Sequence, residues 1–358
     1  MKTLDNPKEI RKLDKSSVFN SIILFPDQME QAWQEVSKIK IPLEKFKEVK
    51  NIIVTGMGGS ALGARIIDSL NFEVLDVPME IINGYHLPAY ANQETLAIIS
   101  SYSGNTEETL SCLDEAIRQK CQLFAITNGG RLAELAKDKE IPAYIFKSRY
   151  NPSGQPRLGL GYSITAQLAL LSRLKFLRLT EAQITEVIHY LNQIRDNLLI
   201  DSPTAKNEAK KIAVDFKEKI IIVVSGEHLI GAAHTFKNML NENSKTFAVR
   251  FSLPELNHHL LEGLAFPKEN SEVVKVMFLE SKIYDEEIKK RIRVTKEVLK
   301  ENKIPYDSLV LKGRTRVIQA FETVYLGSLI SYYLAILNKV DPATIPWVDF
   351  FKKELEKA

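Results

Sequence analysis

Residues 51–61 read NIIVTGMGGSA, and residues 95–109 read TLAIISSYSGNTEET. Asn51–Thr55 is a short β-branched run that ends in glycines, which marks a strand buried on both faces of a parallel sheet. A helical pattern follows over 60–70, then strands over 79–83 and 95–100, a helix over 106–119 and a fourth strand over 121–127. Strictly alternating strand and helix predicts a parallel sheet covered on both sides. The pattern then restarts. Ile222–Gly226 repeats Ile52–Gly56 at an offset of 170 residues, and a helix with apolar Leu229, Ala232, Ala233, Phe236, Met239 and Leu240 on one face follows it. Further strands are expected at 246–251, 273–279 and 307–311, with helices at 285–302 and 316–338. The fold class is therefore α/β, with two open parallel sheets, each flanked by helices on both faces.

Working outward, residues 147–163 (KSRYNPSGQPRLGLGYS) carry the glycine and proline chemistry of a loop, and the domain connection is placed there. The division expected is 1–160 for the first domain, 161–200 for a connecting helical segment and 201–358 for the second. Residues 14–40 read as helical, with a break at Phe25-Pro26.

Composition narrows the function class. A length of 358 residues fits two ordinary domains, and a net charge of +3 with bases and acids interleaved implies no nucleic-acid partner. No apolar run reaches the ~18 residues of a membrane span, so no membrane partner is expected. The charged start, MKTLDNPKEIRKLDKSS, lacks the apolar core of a signal peptide, and the expected location is cytoplasmic. Two cysteines, Cys112 and Cys121, build neither a disulfide framework nor a cysteine metal cluster.

Gly56–Ala61 lies between a strand and a helix, where glycines admit close approach and the helix N-terminus offers free N–H groups to an anion. Its spacing also fits the dinucleotide fingerprint, but that reading requires an acid at the end of the second strand, and Ile81-Ile82-Asn83-Gly84 supplies none. A tight turn with close helix packing would use the same glycines. The second loop decides between them. Ser100, Ser101, Ser103 and Thr106 crowd around Gly104, where helix capping needs a single hydroxyl. Several neutral donors beside a helix N-terminus can surround a phosphate. In the second half, Glu242 ends a helix, where the dipole opposes a carboxylate and raises its proton affinity, as burial would. Lys245, three positions on, could simply pair with it. His258 and His259 are adjacent in an extended segment, point to opposite faces and cannot readily share a metal.

GMGGSALG followed by SYSGNTEET resembles the sugar isomerase (SIS) domain. The pairing of NENSK (241–245) with PELNHH (254–259) resembles the bifunctional phosphoglucose/phosphomannose isomerase branch of that family. FPDQ, GYHLP, NGG and PSGQPRLGLGYS extend the likeness over nearly the whole chain. The resemblance implies two SIS-type domains and an aldose–ketose isomerase of hexose 6-phosphates without metal or other cofactor. Gly58, Gly59, Ser60, Ser101, Ser103 and Thr106 would hold the sugar and its phosphate. Glu242 would move a proton between C1 and C2, and His258 (or His259, if the register slips) would open the ring. Lys352, with Lys353 next, would join that step, while Arg157 would steady the enediolate. Thr344 is the local candidate for the threonine linked to mannose activity, and a homodimer sharing its site between subunits is implied. A non-catalytic sugar-phosphate regulator and a dinucleotide oxidoreductase are the competing classes.

Overall fold

The computed structural model describes residues 3–70 and 75–357. Strands β1 (Asn51–Thr55), β2 (Met79–Ile82), β3 (Thr95–Ser101), β4 (Gln122–Thr127) and β5 (Ala143–Ile145) form one sheet in the order β2-β1-β3-β4-β5. Strands β6 (Ile220–Gly226), β7 (Ala248–Leu253), β8 (Val274–Glu280) and β9 (Tyr306–Val310) form a second, ordered β7-β6-β8-β9. Every pairing within the two sheets is parallel. All seven residues of β3 are buried, as expected of a strand with helices on both faces.

The structure adds to the sequence reading at three points. The first sheet has a fifth strand, β5, whose three residues are too few to carry a periodicity. The connecting helical segment expected over 161–200 is two helices, Leu160–Arg173 and Glu181–Arg195, the second begun by a capping box of Thr180 and Gln183. The helix Arg316–Leu337 is, by length and composition, apolar enough to cross a membrane, which the search for unbroken apolar runs passed over. Here 94% of its most apolar window is buried inside the protein. It is the central helix of the second half, packed on Ile230–Ser244 and on Glu208–Phe216, a helix the sequence reading did not foresee. Near the N-terminus, Val18–Ile23 and Phe25–Lys38 meet at the expected break, with Pro26 in the first turn of the longer helix.

The two halves share one continuous hydrophobic core, from Ile52 and Leu96 to Phe236 and Phe321. The helices that follow the first strand of each sheet, Leu62–Ser69 and Ile230–Ser244, cross in direct contact. A Cβ at Gly231 would lie 2.1 Å from the Arg65 carbonyl oxygen, so only glycine permits that crossing. Each half also repeats the same local design, a strand leading through one 3-10 turn into a helix: Gly58–Ala61 after β1, and Glu227–Leu229 after β6. In the second copy Glu227 adopts φ 44°. Its carboxylate accepts the Asp285 N–H at 2.9 Å, at the start of the helix Glu286–Glu301, and lies 3.7 Å from Arg316.

Lys210 ties the start of the chain to the second half. Its fully buried ammonium donates to the carbonyls of Leu4, Ile200 and Ser202, each at 2.7 Å. Lys210→Met leaves these acceptors unpaired, and a loss of roughly 3 kcal/mol or more is expected. An unchanged urea midpoint for that variant would refute this role.

Candidate active site

In the order 2-1-3, the chain leaves β1 and β3 in opposite directions, which opens a crevice beyond their carboxyl ends. Both loops singled out in the sequence lie there. They are bonded together: the Ser60 hydroxyl accepts the Tyr102 N–H at 3.0 Å, and the Ser60 carbonyl accepts from the Ser100 hydroxyl at 3.0 Å and the Gln167 amide at 3.1 Å. Ser101 Oγ lies 2.8 Å from Thr106 Oγ1 and accepts the Gly104 N–H at 3.1 Å. The exposed Ser103 hydroxyl accepts the Asn105 N–H at 3.3 Å. Thr106 is the N-cap residue of the helix Glu107–Arg118, yet its side chain makes no capping bond. The hydroxyls therefore serve the cradle and leave the helix N-terminus open to an anion.

The turn after β4 buttresses this cradle. Gly104, at φ 72°, sits so close to it that a Cβ would fall 1.8 Å from the Gly129 carbonyl oxygen. Asn105 Oδ1 accepts the Arg131 N–H at 2.9 Å. Asn83 stands where a dinucleotide fold needs its ribose-binding acid, and it donates instead to the Gly56 carbonyl at 2.6 Å.

Arg157 joins the two halves. Its Cα is 3.4 Å from the position of a Cβ on Gly59, so its backbone lines the first loop. The side chain is 3% exposed overall and donates four hydrogen bonds: to Asn243 Oδ1 (2.9 Å), Gln155 Oε1 (3.0 Å), the Pro342 carbonyl (2.8 Å) and the Ala343 carbonyl (2.6 Å). A guanidinium has five N–H donors, which leaves one for a substrate oxygen. Its Nε is also 4.0 Å from Glu242 Oε2.

Glu242 lies in the last turn of Ile230–Ser244, as the sequence indicated. Burial raises its proton affinity above the ordinary carboxylate range, while Arg157, Lys237 and Lys245 oppose the rise. Lys245 does not neutralise it as a surface partner. Its ammonium donates to the carbonyls of Asn243 (3.1 Å) and Asp341 (2.6 Å), and burial pushes it down to about 8. A carboxylate with raised proton affinity beside a fixed guanidinium is suited to abstract a proton from carbon while negative charge develops on a neighbouring oxygen.

Gly59, Ser60, Arg157 and Glu242 are thus linked across the two halves, while no hydrogen bond or ion pair joins His258 or Lys352 to them, although Arg157 feels the charge of Asp349, one turn before Lys352. His258 closes the 3-10 turn Glu255–His258 after β7, is exposed and makes no hydrogen bond or ion pair with Glu242. His259 stands 3.9 Å from Glu255, its ring 5.8 Å from that of Phe251. Lys352 and Lys353 lie on the exposed helix Pro346–Leu355, which begins just beyond the Pro342 and Ala343 carbonyls that Arg157 holds. Trp347, Phe350 and Phe351 on that helix are 80%, 57% and 61% exposed. Thr344, also exposed, donates to the Asp341 carbonyl at 3.4 Å. Asn243 and Gln155 escaped the sequence reading. Asn243 sits inside NENSK, and its place beside Glu242 was the available signal. Among the described residues no cluster of three His, Cys, Asp or Glu side chains could hold a metal ion.

Residues 205–355 match the bacterial phospho-glucose isomerase C-terminal SIS domain. The chain is 31% identical over 341 residues to the bifunctional phosphoglucose/phosphomannose isomerase of Caldicellulosiruptor bescii, a match covering 94% of this chain and 98% of that one. It is 28% identical over 341 residues to the enzyme of the same name from Aquifex aeolicus, covering 95% and 98%. Among solved structures, a hypothetical protein of Thermus thermophilus shares the fold with a TM-score of 0.76 at 17% identity, over 98% of this chain and 93% of that one.

Proposed function

Because the chain belongs to the bifunctional phosphoglucose/phosphomannose isomerases, we propose that it interconverts the 6-phosphates of glucose, fructose and mannose by moving one proton at Glu242. In this reading Ser101, Ser103 and Thr106 hold the phosphate with the N-terminus of Glu107–Arg118, and Gly58, Gly59 and Ser60 line the sugar. Glu242 takes the C2 proton of the open aldose. The C2–H electrons form the C1–C2 double bond as the carbonyl oxygen at C1 becomes negative. Arg157, fixed by its four protein bonds, meets that charge with its remaining N–H, so it acts chiefly on the transition state. Glu242 then returns the proton to C1 while the C2 hydroxyl proton passes to the negative C1 oxygen, so that C1 becomes an alcohol and C2 the ketone. Reprotonation at C2 on either face gives the two aldose epimers.

The observation that carries this reading is the linked set Gly59, Arg157 and Glu242, with Arg157 Nε 4.0 Å from the carboxylate. Ring opening is assigned to His258 and Lys352. Because His258 is exposed and makes no bond with Glu242 in its own chain, it is taken to act in the site of a second copy, in a homodimer, while Lys352 lies one turn beyond Asp349, whose charge Arg157 feels. The apolar exposed face of Pro346–Leu355 supports such a contact. The substrate loops then belong to residues 1–160 and the base to residues 201–358, in an enzyme of the cytoplasm acting on small molecules rather than nucleic acid or membranes.

A coupled assay offered fructose 6-phosphate and reading glucose 6-phosphate and mannose 6-phosphate separately tests the reading. Both products are expected, with activity retained in EDTA. Formation of neither rejects it. Ser101→Ala is expected to raise the KM for hexose 6-phosphates by about tenfold, from one lost hydrogen bond to a charged group. A KM equal to that of the unaltered enzyme would remove Ser101 from the cradle.

A further inference from the structure

A second basic cluster lines a cavity that includes none of the cradle residues. Between the helix Ile230–Ser244 and β7 is a cavity of about 430 Å³, lined by His234, Lys237, Arg250, Phe251, Ser252 and Glu255 among others. Arg250 donates to His234 Nδ1 at 3.3 Å and to Ser252 Oγ at 2.8 Å, which fixes its guanidinium at the wall. Arg65, on the first half's helix Leu62–Ser69, is bonded to Asn83 Oδ1 at 2.5 Å, and its charge is felt by His234, Lys237 and Arg250 alike. Accepting from Arg250 leaves His234 Nδ1 without a proton, and burial beside these cations pushes the imidazole down to about 3. His234 is therefore a neutral spacer among three positive groups.

These three cations have, among the described residues, no close carboxylate. Among the described residues Arg65, Lys237 and Arg250 form no ion pair. The acids they feel are Asp68 for Arg65, Glu242 for Lys237 and Glu255 for Arg250. Asp68 is exposed, and the Glu255 carboxylate, 80% exposed, is 3.9 Å from His259. Partial burial lowers the proton affinity of all three, and repulsion adds to it at Lys237, from Arg250 and Arg65, and at Arg250, from Arg65. Like charges gathered in a half-buried bowl are unfavourable until an anion enters. The bowl differs from the cradle in kind: it is lined by the cations Lys237 and Arg250, within the field of Arg65, and not by neutral hydroxyls at one helix start.

We propose that this cavity is a second, separate anion site that binds a small molecule carrying two phosphate groups. Lys237 and Arg250 line the cavity from two elements, the charge of Arg65 on a third reaches both, and the three positive charges together match a diphosphate or bisphosphate. Val249 and Phe251 supply an apolar wall for the organic part of such a ligand.

Calorimetric titration of the full-length protein with inorganic pyrophosphate, with saturating hexose 6-phosphate present to fill the cradle, tests the proposal. Pyrophosphate is expected still to bind. Arg250→Gln and Arg65→Gln should each weaken it by about tenfold or more, as loss of a charged hydrogen-bond donor implies, with the KM for hexose 6-phosphate unchanged. Arg250→Lys, which keeps the charge, should retain part of the affinity and shows that the site is still folded. Displacement of pyrophosphate by hexose 6-phosphate, or affinity indifferent to both glutamine variants, overturns the proposal. So does a change in sedimentation state on Arg250→Gln without loss of pyrophosphate affinity, since the cluster would then be a contact between copies of the chain.

Discussion

With Glu242→Gln, kcat is expected to fall by about 10²–10⁴, the range by which a positioned base accelerates proton transfer. The amide matches the carboxylate in size but accepts no proton from carbon. Hexose 6-phosphate should bind nearly as before, because the cradle is built from the other half of the chain. The pH profile makes the assignment sharper. The base works ionised, so turnover is lost as pH falls through the proton affinity of Glu242. Burial raises that affinity, and Arg157, Lys237 and Lys245 restrain the rise. The acid limb should therefore stand above the ordinary glutamate value of about 4.3. It should vanish from the residual activity of the glutamine variant. A variant with normal kcat and the same acid limb would mean that another group moves the proton.

Two inactive proteins are expected to make an active one. Glu242→Gln lacks the base, and His258→Gln lacks the ring-opening acid that one subunit is proposed to lend the other. In a mixed dimer one site inherits both defects and the other inherits neither. Random exchange of equal amounts makes half of the dimers mixed, and about one quarter of all sites intact, by the statistics of a two-fold assembly. Activity should therefore rise from near zero toward about one quarter of the unaltered level. No recovery after proven subunit exchange would place His258 in the site of its own chain, and the shared-site arrangement would fall. Charge placed on the apolar face of Pro346–Leu355, as in Phe350→Glu with Phe351→Glu, should give monomers in sedimentation and abolish the recovery.

The strands that frame the crevice were legible because short β-branched runs ending in glycine leave few other readings. The hydroxyl loop was legible because it holds more donors than a cap requires, and Thr106 indeed leaves its helix uncapped. Glu242 stood out by its unfavourable place at a helix end. What composes its surroundings was not legible. The acceptors that fix Arg157 lie up to 186 residues away, in the Pro342 and Ala343 carbonyls, and no local pattern announces a backbone oxygen. Asn243 went unnoticed because an amide beside a candidate base looks like ordinary helix surface until its partner is known. The break between Leu160–Arg173 and Glu181–Arg195 was written in Thr180 and Gln183, but the continuing apolar pattern masked it. His258 was visible as a residue and unplaceable as a neighbour, since nothing in one chain draws it to Glu242.

Internal duplication ordinarily copies a pocket along with its frame, yet this chain keeps one of the two crevices shut. Where the first half leaves its helix start bare, the second brings a tethered anion of its own, the Glu227 side chain, onto the Asp285 amide with Arg316 alongside. A diffusing phosphate arriving there would meet a negative charge already seated and held by its own main chain. In the proposed reading the repeat serves as a wall and as the source of the base, while its own helix start is occupied from within by Glu227.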